Sequence, residues 1–152
     1  MAGRITFTII KPGAVQNEHI GPILSKITDA GFHIAGIKMV QLSRNEARQF
    51  YCIHEEKSFF EELIEFMVSG PIVVAILEKH NAVEDFRKLI GNTDPQKADS
   101  GTIRNMFAKS VQANAVHGSD SDENARKESE YFFSGFEKFF VDEKNCVQGA
   151  MN

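Results

Sequence analysis

The stretch "NAVHGSDS", residues 114–121, sets one titratable ring, His117, directly before Gly118, Ser119 and Asp120. A neutral imidazole is a nucleophile as well as a base, and it serves as a nucleophile when a neighbouring acid fixes its orientation. Glu128 is the candidate acid. It falls at i+3 from Ala125 and i−4 from Phe132, so on a helix it interrupts an apolar stripe and is expected to be partly buried. Folded back toward the helix start, directly or through Ser119, it would orient the imidazole and support its nucleophilicity. The alternative is a solvated helix residue paired with Lys127 or Arg126. A lone histidine is more often structural than catalytic, and His19, His33, His54 and His80 take that reading. His117 is set apart by its neighbours.

Holding that ring requires a strand and a helix meeting beside it. "ANAV" predicts a short strand, and Asp120 with Glu123 three residues on predicts a capping box opening a helix from about residue 122 to 133, which puts His117 at the junction. Gly118 would let a ligand or a neighbouring backbone approach closely, and free N–H groups at the helix start favour negative charge.

Upstream, "RITFTII" alternates Ile5, Phe7 and Ile9 with Thr6 and Thr8, the period of a half-buried strand stopping at Lys11-Pro12-Gly13. Ile20, Ile23, Leu24 and Ile27 repeat at helical spacing up to Gly31, and "FHIAGIKMVQL" reads as a second strand. Ser43 with Glu46 forms a capping box for a helix through roughly Ile53, followed by a helix from Phe59 to Met67. "GPIVVAILEK" is the strongest strand, and Asn81 opens a helix that Gly91 ends. Residues 91–113 carry turn formers and no sustained period, which predicts a long functional loop. The alternation implies a four-stranded sheet with helices on one face.

The totals narrow the class. A chain of 152 residues fits one domain, and 42% hydrophobic with 25% charged residues is the composition of a water-soluble globular fold. With 21 acidic against 17 basic residues the formal charge is −4, so nucleic acid is not an expected partner and any anion site must be local. Cys52 and Cys146 show no metal-ligand or redox spacing, which favours a reduced, cytoplasmic setting. No secretory signal is visible, and the longest apolar run, "IVVAIL", is too short for a bilayer, so no membrane role is expected.

Five ordered blocks, "TIIKPGAVQ", "SGPIVVAILEK", "GNTDPQKADSGTIR", "NAVHGSDS" and "KESEYFF", closely resemble the nucleoside diphosphate kinases across nearly the whole chain. The resemblance implies an α+β, ferredoxin-like βαββαβ sandwich, with a four-stranded antiparallel sheet and helices packed on it. It implies a kinase domain over residues 1–140, leaving 141–152 as a tail that is weakly ordered or an oligomer contact. It also implies an enzyme that moves the γ-phosphate of a nucleoside triphosphate, typically ATP, to a nucleoside diphosphate by a ping-pong route through a phosphohistidine at His117.

Carried over residue by residue, the catalytic group is His117, Glu128, Ser119 and Tyr51, with Tyr51 packed near the histidine. The nucleotide contacts are Lys11, Arg87, Thr93, Arg104 and Asn114 for phosphate and ribose, with Phe59, Leu63 and Val111 as an apolar clamp on the base. Phe60 and Phe66 read as core. Mg²⁺ is the implied cofactor, held mainly by the nucleotide phosphates and assigned no protein ligand, and a homo-oligomer, tetramer or hexamer, is implied. Gly13 departs from the family's usual Asp or Asn after "KP" and should loosen the loop beside Lys11. An apolar clamp has no polar edge to read, so broad base specificity is expected.

Two rivals fail on the residues. A regulatory nucleotide-binding module would have lost Lys11, Arg104, His117 or Glu128, and all are present. A single-stranded RNA binder needs aromatic platforms and a basic face, whereas the central strand "IVVAILEK" has no aromatic.

Overall fold

The computed structural model describes residues 3–141. Its elements are β1 (Ile5–Ile10), α1 (Pro12–Gln16), α2 (Ile20–Asp29), β2 (His33–Val40), α3 (Arg44–Phe50), α4 (Phe60–Met67), β3 (Ile72–Glu78), α5 (Ala82–Ile90), α6 (Ile103–Phe107), β4 (Val116–Gly118) and α7 (Asp122–Phe132). The four strands form one antiparallel sheet in the order β2-β3-β1-β4, the ferredoxin-like arrangement. The tail from residue 142 onward, Cys146 included, lies outside the described residues.

Helices cover both faces of this sheet, which corrects the expectation of one covered face. All seven residues of β3 are buried. Ile72, Val74 and Ile76 join Phe7 and Ile9 under α3 and α4, while Val73, Ala75 and Leu77 join Ile23 and Ile27 of α2 and Phe86 of α5. Each such aliphatic or aromatic side chain contributes roughly 1.5–3 kcal/mol by leaving water. Strand β1 is likewise buried on both sides, Thr6 and Thr8 as fully as Phe7 and Ile9, so its alternation marks two different walls rather than core and solvent.

The helix starts follow local chemistry. Ser43 and Glu46 make the expected capping box on α3. That helix stops at Phe50, and Cys52–His54 continue as one 3-10 turn. Helix α7 starts at Asp122 as expected, but its cap is one residue later than expected. Ser121, not Asp120, caps it by accepting the Asn124 N–H, and Asp120 takes the Asn124 side-chain amide instead. Two short helices lie where loop was expected. Pro12 at the first position of α1 starts a helix instead of ending a strand. Thr102 caps α6 through the Asn105 N–H.

Candidate active site

His117 lies inside β4, paired with Ile9 of β1, rather than at a strand–helix junction. Its carbonyl accepts a 2.7 Å bond from the buried Thr8 hydroxyl, which fixes the backbone that carries the ring. Gly118 lies on the cavity wall and packs closely against α5, where a Cβ would stand 2.9 Å from Ile90 Cδ1 and 3.2 Å from Phe86 Cδ2.

The acid partner is where the stripe on α7 places it. His117 Nε2 and Glu128 Oε1 are 3.1 Å apart, both side chains being 19% exposed. The same oxygen accepts a 2.6 Å bond from the Ser119 hydroxyl, which itself accepts the Phe7 N–H at 3.1 Å. A carboxylate only accepts, so in the neutral ring Nε2 carries the proton and Nδ1 keeps its lone pair. Nδ1 makes no hydrogen bond to the described residues. Glu128 is therefore held from two sides, directly on the ring and through Ser119, which lies fully buried behind it. Burial, then the Glu128 charge, pushes the Tyr51 hydroxyl well above its usual range, so it stays protonated; it lies buried with no hydrogen-bond partner among the described residues.

Three cations gather nearby. Lys11 ends β1 and is 7% exposed, and its ammonium donates to Asn114 Oδ1 at 2.8 Å. Asn114 is aimed there by a sharp turn in which Val116 N–H bonds the Asn114 carbonyl across Ala115, whose φ is 74°. Desolvation, then the Arg104 charge, lowers the Lys11 ammonium to about 7. Arg104 donates to the Gly91 carbonyl at 3.0 Å and the Val116 carbonyl at 2.9 Å, and burial, then Arg87, lowers it to about 10. Gly13 lies in a helix and not in the expected loop. It belongs to α1, whose N-cap is Lys11 itself, and its carbonyl takes the Asn17 side-chain amide.

All the expected site residues except Ser119 line one cavity of about 850 Å³, a size that suits a small organic ligand. At its mouth, Phe59 is 48% and Val111 56% exposed, facing Leu63, which is buried. Phe60 is core as expected, and Phe66 packs against it half-buried. The sequence reading missed Phe50, His54, Glu62, Gln112 and Asp120 on the cavity wall. His54 had been read as structural. Its signal was the i, i+3 step from Tyr51 in a helical stretch, which turns both side chains the same way.

A nucleophile backed by an acid, beside three cations and an apolar cleft, suits transfer of a polyanionic group. Comparison with known proteins names the family that carries it. The family described as nucleoside diphosphate kinase matches residues 4–138. The nucleoside diphosphate kinase of Flavobacterium psychrophilum is 56% identical over 91% of this chain and all of that protein. That of Salinibacter ruber is 53% identical over 88% of this chain and 94% of its own. Among solved structures, the Aquifex aeolicus nucleoside diphosphate kinase superposes with a TM-score of 0.87 at 40% identity, covering 89% of this chain and 98% of that one. A Halobacterium salinarum nucleoside diphosphate kinase, solved in complex with CDP, gives 0.86 at 33% identity, covering 92% and 93%. With the match running from β1 past the end of α7, the chain belongs to the nucleoside diphosphate kinase family.

Proposed function

We propose that the chain passes the γ-phosphate of a nucleoside triphosphate to a nucleoside diphosphate in two half-reactions through Nδ1 of His117. The lone pair of Nδ1 attacks the γ-phosphorus, the bond to the β–γ bridging oxygen breaks, and the diphosphate leaves with those electrons. A β-phosphate oxygen of the second diphosphate then attacks the same phosphorus, and the N–P bond returns its pair to Nδ1. The observation that supports this reading is the Nε2–Glu128 contact of 3.1 Å, which in the neutral ring puts the proton on Nε2 and the lone pair on Nδ1. Lys11, Arg87 and Arg104 would neutralise the charge that grows on the bridging oxygen. Thr93, on the cavity wall, and Asn114, which holds Lys11, would complete the phosphate and ribose contacts.

Mg²⁺ belongs to the same proposal. The cation would arrive on the nucleotide's phosphate oxygens and keep several of its waters. Bound there, it supplies charge neutralisation across the phosphates. Self-association into a tetramer or hexamer is proposed too. Its support is the edge strand β2, where Ile37 and Met39 stand 46% and 56% exposed. A cytoplasmic setting is proposed on the free thiol of Cys52, and among the described residues no helix is long and apolar enough to cross a membrane.

The test is kinetic and chemical. Initial rates at several fixed donor concentrations should give parallel lines, and brief exposure to ATP and Mg²⁺ should leave an acid-labile phosphate on His117. Intersecting lines, the mark of a ternary complex, would refute the covalent route.

Lys11 gives this reading a pH dependence. With its free-state value near 7, the ammonium is mostly deprotonated above that pH, and a bound phosphate raises the value by favouring the charged form. Binding then takes up a proton above about pH 7 and none well below it. Diphosphate affinity should weaken by up to about tenfold per pH unit from roughly pH 7.5 to 9. Calorimetry in two buffers of different ionisation enthalpy should report close to one proton taken up at about pH 8, and none in Lys11→Met.

Base tolerance is also proposed. Phe59, Leu63 and Val111 offer stacking and apolar surface, and every base has a π-face. A pocket that read one base edge with buried polar groups could separate analogues by roughly 10⁴-fold. Values of kcat/KM for adenine, guanine, cytosine, uracil and thymine diphosphates, ribose and deoxyribose alike, should fall within about tenfold of one another. A preference near that 10⁴-fold limit would show that the clamp is misassigned.

A further inference from the structure

Phe50, the last residue of α3, has no part in the chemistry above, yet its half-buried ring stands on the cavity wall against the nucleophile. The Phe50 and His117 ring centroids are 5.4 Å apart at 76°, an edge-to-face contact. Behind it the ring is itself wedged. Phe132 of α7 lies 5.5 Å away, and Phe7 of β1 lies 6.0 Å away and also meets the imidazole at 6.1 Å. The two helices that carry Phe50 and Glu128 are tied together, because the Tyr131 hydroxyl of α7 bonds the Glu46 carbonyl at 3.1 Å and Gln49 Oε1 at 2.9 Å on α3.

We propose that Phe50 is a positioning residue that holds the His117 imidazole in the one ring orientation presenting Nδ1 to the incoming phosphate. This rests on the phosphohistidine reading given above. The physical need is rotational. The torsion that turns an imidazole about its bond to Cβ is broad and close to two-fold, and a half-turn exchanges each nitrogen with a carbon of the ring. The Glu128 bond opposes that turn at one point on the ring. Packing on the ring's other side opposes it independently, and an edge-to-face aromatic contact shifts such an equilibrium by a factor of about 2 to 12. Phe7 meets the imidazole as well, at the longer distance of 6.1 Å and while stacked on Phe132 at 5.3 Å, so Phe50 makes the nearer ring contact.

The experiment compares wild type, Phe50→Leu and Phe50→Tyr by steady-state kinetics and by ³¹P NMR of the phosphoenzyme made with ATP and Mg²⁺. Phosphate on Nδ1 and on Nε2 gives separate signals. In Phe50→Leu, kcat should fall about 2- to 12-fold with KM for nucleotides within about twofold, and an Nε2 signal should join the Nδ1 signal. Phe50→Tyr keeps the ring and should restore both. Should leucine prevent folding, Phe50→Met, of similar volume and without a ring, is measured in its place. A kcat within about twofold of wild type in the ringless variant overturns the proposal. So does a loss of kcat with phosphate on Nδ1 alone, or a Phe50→Tyr as impaired as Phe50→Leu. A wild-type enzyme with no phosphohistidine would instead defeat the covalent reading, a result that the Phe50 variants cannot mimic.

Discussion

His117→Ala should lower kcat by at least about 10⁴-fold, to the background of the nucleotides in solution, while the protein keeps its fold. In the proposed route the side chain supplies the atom that takes the phosphorus, so nothing positioned nearby could replace it. The fold should survive because the backbone of β4 is held by its pairing with β1 and by the Thr8 hydroxyl, neither of which needs the ring. Glu128→Gln is the informative contrast. Both bonds to Glu128 fall on the single oxygen Oε1, so a glutamine carbonyl can accept from Ser119 and from Nε2 alike, and only the charge is lost. Exchanging a charged for a neutral acceptor costs about 1.4 kcal/mol, or roughly tenfold in kcat. Stopped-flow phosphorylation by ATP measures both. Wild-type turnover in His117→Ala would remove the whole site assignment.

That triad was legible because its geometry is local. Glu128 sits on one helix at a spacing that fixes its face, Ser119 and His117 lie two residues apart in sequence, and helical periodicity carries such information without tertiary knowledge. The elements misread were those whose sequence signal is shared with another structure. Pro12 marks a strand end and a helix start equally well, and β1 and α1 meet there, so the stop was seen and the start was not. Helix α6 has five residues, too few to show a period, although Thr102 and Asn105 mark its cap. The second covered face was visible in "IVVAIL", since an apolar run without alternation is what a strand buried on both sides requires. His54 reaches the site through the 3-10 turn after α3, and only its spacing from Tyr51 hints at that, while Phe50 reaches it by the packing of α3 on the sheet, which no local pattern sets.

Arg104→Lys should cost roughly 2–4 kcal/mol in the transition state, about 30- to 1000-fold, with most of the loss in kcat. The conservative charge makes this a sharp test. The arginine is fixed by two carbonyls on different elements, Gly91 at the end of α5 and Val116 at the start of β4, and it is 9% exposed. A lysine ammonium is a point donor on a flexible stem and cannot span both. Its charge would remain while its placement was lost, and charge that must be aimed at a developing oxyanion is effective only when it is fixed before reaction begins. Arg104 Nε is also buried with no partner among the described residues, an arrangement whose cost is offset when an anion reaches the cavity. Ground-state binding draws on Lys11 and Arg87 as well, so KM should move less than kcat. Rates and thermal melts of Arg104→Lys separate the two contributions, because the one carbonyl that a lysine must abandon lowers stability by only about 1–3 kcal/mol. A variant that melts lower yet turns over within about threefold of wild type would show that Arg104 braces α5 against β4 and takes no part in stabilising the transferred phosphate.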